Sequence, residues 1–219
     1  MKRIRILGLT VIAVFATSAL ASSVASAAEW LDNGKPITNP ILVLLKGTGA
    51  TGQLELSDLA ATGGATAIVC ESKGDGTIGP GANDTIKTIA APTCSFVAGK
   101  NGSCEASKPV TATPVNLPWA TRLLTVNGEV RDMIENSGPG APGWQVECTV
   151  AGIFKVQDKC TSETGDPLID NNPSGNDVIA LFEASETATC SLGNSTSGMV
   201  VGAALVFSDV PGLKLSVDP

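Results

Sequence analysis

Short apolar stretches separated by turn-forming residues follow one another along the chain from residue 41 onward, a pattern typical of β-strands. Ile41 to Lys46 is predicted to be a buried strand, and Ala67 to Lys73 is predicted to be another. Between them, Leu54 and Leu56 alternate with polar neighbours, which predicts a strand with one buried face.

A turn-rich loop from Gly74 to Asp84 is followed by alternating apolar and polar positions, which predict a long strand that reaches Cys94. Further along, Asn127-Gly128 lies between the apolar segments Leu123 to Val126 and Glu129 to Ile134. This dipeptide is the strongest hairpin signal in the chain.

Two further strands are predicted on either side of Gly152. The apolar face of the first carries Trp144, Val146 and Cys148, and that of the second carries Phe154, Val156 and Cys160. An odd number of loop residues, with Gly152 as a bulge, makes the two apolar faces agree. Cys148 would then face Phe154, and Cys160 would lie about 20 Å farther along the strand.

Gly, Thr, Ser, Asn and Pro are abundant, and no segment after the first residues shows a sustained helical period. These features predict an all-β fold, a disulfide-bridged antiparallel sandwich or barrel-like domain.

The first 27 residues have the order of a secretory signal peptide, with Lys2, Arg3 and Arg5 before an apolar run and Ala25-Ser26-Ala27 at the end. The apolar run is far shorter than the roughly 20 residues that a membrane-spanning helix needs. We therefore expect cleavage, export and no membrane association afterwards.

Residues 28–219 would then form a single secreted β domain, extracellular or associated with the cell wall. Residues 28–40 are predicted to form an extended N-terminal arm, because Pro36 and Pro40 disfavour a helix in the residues before them.

The formal net charge of the chain is −7, and loss of the predicted signal peptide would remove three positive charges and give −10. Such acidity is unfavourable for contacts with phosphate backbones, so nucleic acid is not an expected partner.

Six cysteines in an exported chain predict three disulfides rather than free thiols or a metal site. Cys94 and Cys104 flank SFVAGKNGS and would lie opposite each other in a hairpin centred on Gly99. The predicted distance between Cys148 and Cys160 excludes a bond between these two. Two pairings of the remaining cysteines are left, and we favour Cys70–Cys148 with Cys160–Cys190.

The absence of histidine excludes Ser-His-Asp and Cys-His nucleophile systems and histidine-bearing zinc sites, and tyrosine is absent as well. A glycoside hydrolase would depend on paired carboxylates about 5 to 10 Å apart. Asp132 with Glu135, and Glu183 with Glu186, are candidate pairs, but nothing in the sequence singles them out from solvated surface acids. We predict no catalytic residue, no cofactor and no enzymatic activity.

The polar segment from residue 163 to residue 177 contains Asp166, Asp170 and Asp177, which are candidate calcium ligands. Their spacing is not that of an EF-hand, and Asx turns explain the same residues. No metal site is therefore predicted.

The three tryptophans are assigned different roles. Trp144 shares the apolar face of its strand and is predicted to lie in the core, and Trp30 would pin the N-terminal arm. Trp119, in NLPWATRL, is the candidate platform for stacking against a sugar, with Asn116 and Arg122 as further ligand-binding candidates.

Six sequence elements occur in a fixed order after the signal peptide: AEWLDNGKPIT, GTIGPG, CSFVAGKNGSC, VNLPW, EVRDMIENSGPGAPGWQVECTV and ATCSLG. In this order they resemble a group of small secreted proteins of soil actinobacteria. The resemblance implies a Gram-positive secretory context, and it carries over no catalytic or binding residue.

The predicted function is that of a secreted, non-catalytic binding or structural module of the cell exterior, with wall or environmental polysaccharide as the candidate partner. One alternative is a carboxylate-dependent glycoside hydrolase, which two acids converging in a cleft would favour. Another is a secreted inhibitor or effector that presents the hairpin from Cys94 to Cys104 as a rigid exposed loop.

Overall fold

The computed structural model describes residues 28–48, 53–136, 138, 140–163, 165–173, 175, 177–184 and 187–218. The predicted signal peptide lies outside the described residues. Every regular element of the described chain is a β-strand, which confirms the all-β prediction. No part of the described chain forms a helix long and apolar enough to cross a membrane.

The strands are β1 (Glu29–Asp32), β2 (Lys35–Pro36), β3 (Ile41–Thr48), β4 (Gln53–Asp58), β5 (Thr66–Ile78), β6 (Asn83–Asn101), β7 (Thr111–Val115), β8 (Trp119–Val126), β9 (Glu129–Glu135), β10 (Gly143–Val150), β11 (Phe154–Thr161), β12 (Leu168–Asn171), β13 (Val178–Phe182), β14 (Ala188–Cys190), β15 (Ser195–Ser208) and β16 (Leu215–Asp218).

Most of the strands close into two fused, barrel-like rings in which all neighbours are antiparallel. Ring I follows the order β13, β12, β9, β8, β6, β5, β3 and β15, and β15 pairs back to β13. Ring II follows the order β6, β7, β10, β11, β14, β15, β4 and β5, and β5 pairs back to β6. The long strands β5, β6 and β15 therefore belong to both rings.

Strand length explains how the rings are joined. β5, β6 and β15 contain 13, 19 and 14 residues, enough for each to pair with different neighbours along its two halves. The first part of β15 pairs with β14 and β4, and its later part pairs with β13 and β3. β3 and β4 both lie between β15 and β5, one in each ring.

Each ring has its own apolar core, formed by the side chains that alternate inward along its strands. The core of ring I includes Trp30, Val43, Leu123, Val178 and Val206. The core of ring II includes Ile68, Val146, Trp144 and cysteines of all three disulfides. The predicted core position of Trp144 is confirmed, because this residue is only 9% exposed.

The N-terminal segment, predicted as an extended arm, contains two short paired strands. β1 and β2 form a hairpin around Asn33 and Gly34, both with positive φ, and β1 also pairs with β16. Trp30 on β1 is 2% exposed and packs in the core of ring I, so it pins this segment as predicted.

The disulfides are Cys70–Cys94, Cys104–Cys148 and Cys160–Cys190. Only the predicted Cys160–Cys190 bond agrees, and Cys94–Cys104 and Cys70–Cys148 are wrong. The predicted hairpin at Gly99 does not form, because β6 continues through this glycine to Asn101. Cys94 is instead the direct cross-strand partner of Cys70, with their Cα atoms 4.1 Å apart.

Cys104 follows the end of β6 and lies beside β10. The N–H of Glu105 donates to the carbonyl of Thr149 at 2.9 Å, which holds this part of the chain next to Cys148. The Cα atoms of Cys104 and Cys148 are 5.8 Å apart, a distance that suits a disulfide.

The hairpin predicted at Asn127-Gly128 is confirmed, and the one predicted at Gly152 is confirmed in its loop length but not in its register. Val126 faces Glu129 across a two-residue turn in which Asn127 and Gly128 have positive φ, as a primed turn requires. The loop between β10 and β11 has the predicted odd number of residues, because Val150 faces Phe154. Its register differs from the prediction, however, since Cys148 faces Val156 rather than Phe154.

Candidate functional site

An open groove of about 810 Å³ crosses the outer face of the sheet where the two rings join. Two rows of cross-strand neighbours on β15, β3, β5 and β6 build its centre. One row contains Phe207, Leu44, Asp75 and Thr88, and the other contains Lys46, Lys73 and Ala90.

These side chains face outward because their neighbours along the strands face the core. On β3, Val43 and Leu45 pack in ring I, so Leu44 and Lys46 lie on the opposite side. On β15, Val206 is buried in the same core, which leaves Phe207 on the outer face. The alternation of a β-strand therefore provides both the core and the groove.

The concave shape follows from irregular pairing between β5 and β6. The register shifts between Glu71 and Lys73 and again between Asp75 and Gly76, so β6 carries an extra residue at each place. Such bulges bend a strand and increase its twist. Pro92 lies at the first of them, where the absence of its N–H costs no regular ladder bond.

A glycine permits the close approach of the two strands at this bend. A Cβ atom on Gly74 would overlap the carbonyl oxygen of Thr88 on β6. The backbone of Gly74 lines the groove, so a displacement of this strand would change the floor as well as the strand spacing.

A second depression of about 560 Å³ adjoins the groove. Lys46 and Phe207 line both, and so stand at the boundary between them. Beyond this boundary the depression is lined by residues of β15, of the segment that follows it and of the chain between β12 and β13. The groove and the depression together form an extended path across the surface, which we name the outer groove.

The outer groove carries charges of both signs. Lys46 and Lys73 are direct cross-strand partners on its floor. Glu71 and Asp75 flank Lys73 two residues away in each direction, and the hydroxyl of Thr88 donates to the carboxylate of Asp75. Ammonium donors, carboxylate acceptors and an apolar strip are therefore present in one surface.

The ligand-binding residues predicted from the sequence do not form one surface. The indole N–H of Trp119 donates to the carbonyl of Val115 at 2.8 Å, and its ring lines a cavity between the rings. Arg122 lies on the outer face of β8 and forms an ion pair with Glu135 at 2.7 Å. The side chain of Asn116 donates to the carbonyl of Ala141 at 2.6 Å.

The cavity beside Trp119 is small. It measures about 80 Å³ and is lined by Trp144, Phe182 and Met199 among others. Ligand pockets usually enclose roughly 300 to 1,000 Å³, so this cavity has room for water but not for a sugar ring.

Two aspartates meet inside ring I. Asp84 and Asp132 both line a cavity of about 40 Å³ under Trp30. Asp84 accepts hydrogen bonds from the indole N–H of Trp30 and the backbone N–H of Gly79, and Asp132 accepts one from Thr121. Oδ1 of Asp132 is buried without a hydrogen-bond partner.

The surroundings of this pair disfavour negative charge. Burial, reinforced by the charge of Asp132, raises the pKa of Asp84 to about 8, although the hydrogen bonds from Trp30 and Gly79 act in the opposite direction. Burial also raises the pKa of Asp132, to about 7, and the bond from Thr121 opposes this shift. The pair therefore carries a proton around neutral pH.

A second acid pair lies in ring II. Oδ1 of Asp58 accepts hydrogen bonds from Ser195, Ser197 and the N–H of Ala60, and Asp158 accepts one from the N–H of Leu192. Burial raises the pKa of Asp158, and the carboxyl group of Asp58 contributes in the same direction. Asp158 also lies against Cys160 and Cys190, whose sulfurs are bonded to each other and so are not available to a metal.

Of the candidate acid pairs, Asp132 and Glu135 do not share a site. Asp132 faces the core of ring I, whereas Glu135 faces outward and pairs with Arg122. Glu183 forms an ion pair with Arg131 at 3.1 Å, and Glu186 lies outside the described residues.

The three candidate calcium ligands are engaged or separated. Asp166 lies 3.8 Å from the guanidinium of Arg131, and Asp177 accepts a hydrogen bond from Asn172. Asp170 is exposed on β12. Within the described part of the chain, these three carboxylates do not converge on a common point.

Sequence reasoning missed the outer groove because its parts come from strands far apart in the chain. The buried acids had a visible signal, however. Asp132 occupies an inward position between Val130 and Ile134 in an alternating strand, and Asp84 precedes Ile86 in the same way. A charged residue on the apolar face of a predicted strand indicates a buried acid.

In comparisons with protein-family models, curated proteins and solved structures, nothing matches this chain. The outer groove, the buried acids and the disulfides are therefore the features from which a function is inferred.

Proposed function

We propose that the chain is a secreted binding module of the cell exterior and that its outer groove holds an extended polysaccharide. The observation that carries this proposal is the shape and lining of the groove. Its volume of about 810 Å³ lies in the range of ligand sites, and the adjoining depression lengthens it.

The chemistry of the lining suits a carbohydrate. Phe207 and Leu44 offer an apolar strip for the C–H faces of sugar rings. Glu71 and Asp75 accept hydrogen bonds from hydroxyl groups, and the two lysines donate them. An open groove also admits a long polymer, which an enclosed pocket does not.

Secretion is supported by the predicted signal peptide and by the three disulfides, which indicate an oxidising compartment. The resemblance to secreted proteins of actinobacteria agrees with a role at the cell wall or in soil.

A binding role is favoured over hydrolysis by the positions of the acids. Asp84 and Asp132 lie in the core of ring I, away from the groove. In the groove, Glu71 and Asp75 lie on the same strand with Lys73 between them. A glycoside hydrolase instead holds two carboxyl groups within about 10 Å across the bond that it cleaves.

The alternative function as an inhibitor or effector depended on an exposed hairpin from Cys94 to Cys104, and this hairpin does not form. Cys94 is bonded to Cys70 within the paired strands β5 and β6, so no disulfide hairpin from Cys94 to Cys104 exists to be presented.

Isothermal titration with soluble peptidoglycan fragments and with plant and fungal oligosaccharides tests the proposal. We expect saturable binding without cleavage of the ligand, and about tenfold weaker binding by Phe207→Ala, which corresponds to about 1.4 kcal/mol. Phe154→Ala is the matched control, since Phe154 is 60% exposed on the hairpin between β10 and β11, outside the groove. Absence of binding to any glycan, or equal losses in both variants, would contradict the proposal.

A further inference from the structure

We propose that the outer groove selects a glycan with isolated anionic groups, and that Lys46 and Lys73 hold one such group between them. This inference rests on the proposed function, because it names the ligand of the same groove. The anionic group is a carboxylate or a phosphate diester, both of which accept hydrogen bonds from two ammonium groups at once.

The first argument is the pairing of the two lysines. Lys46 on β3 and Lys73 on β5 face each other directly, so their side chains leave the sheet on the same side. Like charges in this arrangement destabilise a sheet. Within the described part of the chain, neither ammonium group lies within 4.0 Å of a carboxylate. An anion bound between them would remove the repulsion.

The second argument is their location. These strands lie inside the sheet, since β3 is flanked by β15 and β5, so the lysines are not needed to protect an exposed edge. Lys46 stands at the boundary between the groove and the adjoining depression. A polymer that occupies both parts must pass over it.

The third argument concerns the acids on either side. Glu71 and Asp75 line the groove, and Asp177 and Asp209 line the depression. These four carboxylates would repel a polymer that carries a negative charge on every sugar, and the net negative charge of the chain adds to this repulsion. The same acids accept hydrogen bonds from sugar hydroxyls, so the groove fits an anion flanked by uncharged sugars.

Matched oligosaccharides test this selectivity. A hyaluronan hexasaccharide carries a carboxylate on alternate sugars, a galacturonate hexamer carries one on every sugar, and chitohexaose carries none. We expect the hyaluronan fragment to bind at least about tenfold more tightly than either of the others. An oligomer of neutral sugars joined by phosphodiesters replaces the carboxylate with a phosphate diester and identifies which anion is preferred.

The Lys46→Gln, Lys73→Gln double variant is expected to lose this preference and to keep the weaker binding of chitohexaose. The Lys108→Gln, Lys155→Gln double variant removes the same charge from exposed positions outside the groove and is expected to bind like the wild type. A Lys46→Arg, Lys73→Arg variant preserves both charges and should retain the preference.

The outcomes separate this inference from the proposed function. Equal binding of all the hexasaccharides, with Phe207→Ala still weakening it, would overturn the role of the lysines and leave the groove as the binding site. Equal losses in the two glutamine variants would reduce the effect to overall charge and would also overturn it. Absence of binding to every glycan would overturn the proposed function itself.

Discussion

Asp84 and Asp132 are the residues whose chemistry depends most on the fold. In an unfolded chain an aspartate titrates near pH 3.9, whereas inside ring I the pKa of Asp84 is about 8 and that of Asp132 is about 7. Between about pH 4 and pH 8 the folded protein therefore holds protons that the unfolded chain has released. The free energy of unfolding must fall as the pH rises through this window.

The first prediction at this scale concerns Asp132→Asn. Each carboxyl group that stays protonated in the fold contributes a slope of up to about 1.4 kcal/mol per pH unit. The variant removes one such group and also the charge that raises the pKa of Asp84. We expect its free energy of unfolding to change less than that of the wild type between pH 5 and pH 8, and to exceed it at pH 8.

Chemical denaturation at several pH values measures this difference. Asp170→Asn is the control, because Asp170 is an exposed aspartate on β12, and its profile should parallel that of the wild type. Parallel profiles for Asp132→Asn and the wild type would mean that the buried pair does not hold its proton.

At the scale of elements, the bend of β5 against β6 shapes the groove. Gly74 lies at this bend, and a Cβ there would overlap the carbonyl oxygen of Thr88. The backbone of β5 is held on both edges at Gly74, because this residue pairs with Leu45 of β3 and with Ile89 of β6.

Gly74→Ala is therefore expected to lower the free energy of unfolding by about 1 to 3 kcal/mol, the usual cost of overpacking. Gly138→Ala serves as the control, since a Cβ at Gly138 meets its nearest neighbour at an ordinary 3.6 Å. Denaturation of the two variants compares the effects directly. Similar stability for both would show that the strands can separate at the bend without cost.

Local features of these elements could be predicted from the sequence, and longer-range ones could not. Asn127-Gly128 specifies its turn by backbone preference alone, and it forms as expected. Asn33-Gly34 carries the same signal and explains the hairpin within the N-terminal segment. Gly99 shows the limit, because its positive φ serves an irregularity within β6 instead of a turn. The error in the disulfides followed from that single glycine.

The groove could not have been predicted for a related reason. Leu44, Lys73 and Phe207 become neighbours only because one edge of β15 pairs with β3, which precedes it by more than a hundred residues. Alternation places each of them on an outer face, but it does not say which strands are adjacent. Ring closure is likewise a property of pairing between distant segments, and the sequence left sandwich and barrel-like arrangements open.

At the scale of the whole molecule, the disulfides are distributed unevenly between the two rings. All three disulfides lie in ring II, whereas the core of ring I contains no cysteine among its described residues. The two rings nevertheless share β5, β6 and β15, so neither can lose its sheet while the other stays intact. We therefore expect the rings to unfold in one cooperative transition.

The tryptophans offer a reporter for each ring. Trp30 is buried in ring I and Trp144 in ring II, and tyrosine is absent, so variants that keep only Trp30 or only Trp144 of the three tryptophans give separate fluorescence signals. Denaturation should give the same midpoint with both reporters.

Replacing Cys104 and Cys148 with alanine opens a loop of 44 residues in ring II and should lower the free energy of unfolding by about 4 kcal/mol. If the rings are coupled, the fluorescence of Trp30 must report the same loss of unfolding free energy as that of Trp144, although the removed bond is in ring II. A lower denaturation midpoint seen by Trp144 alone would mean that the shared strands transmit no stability between the rings.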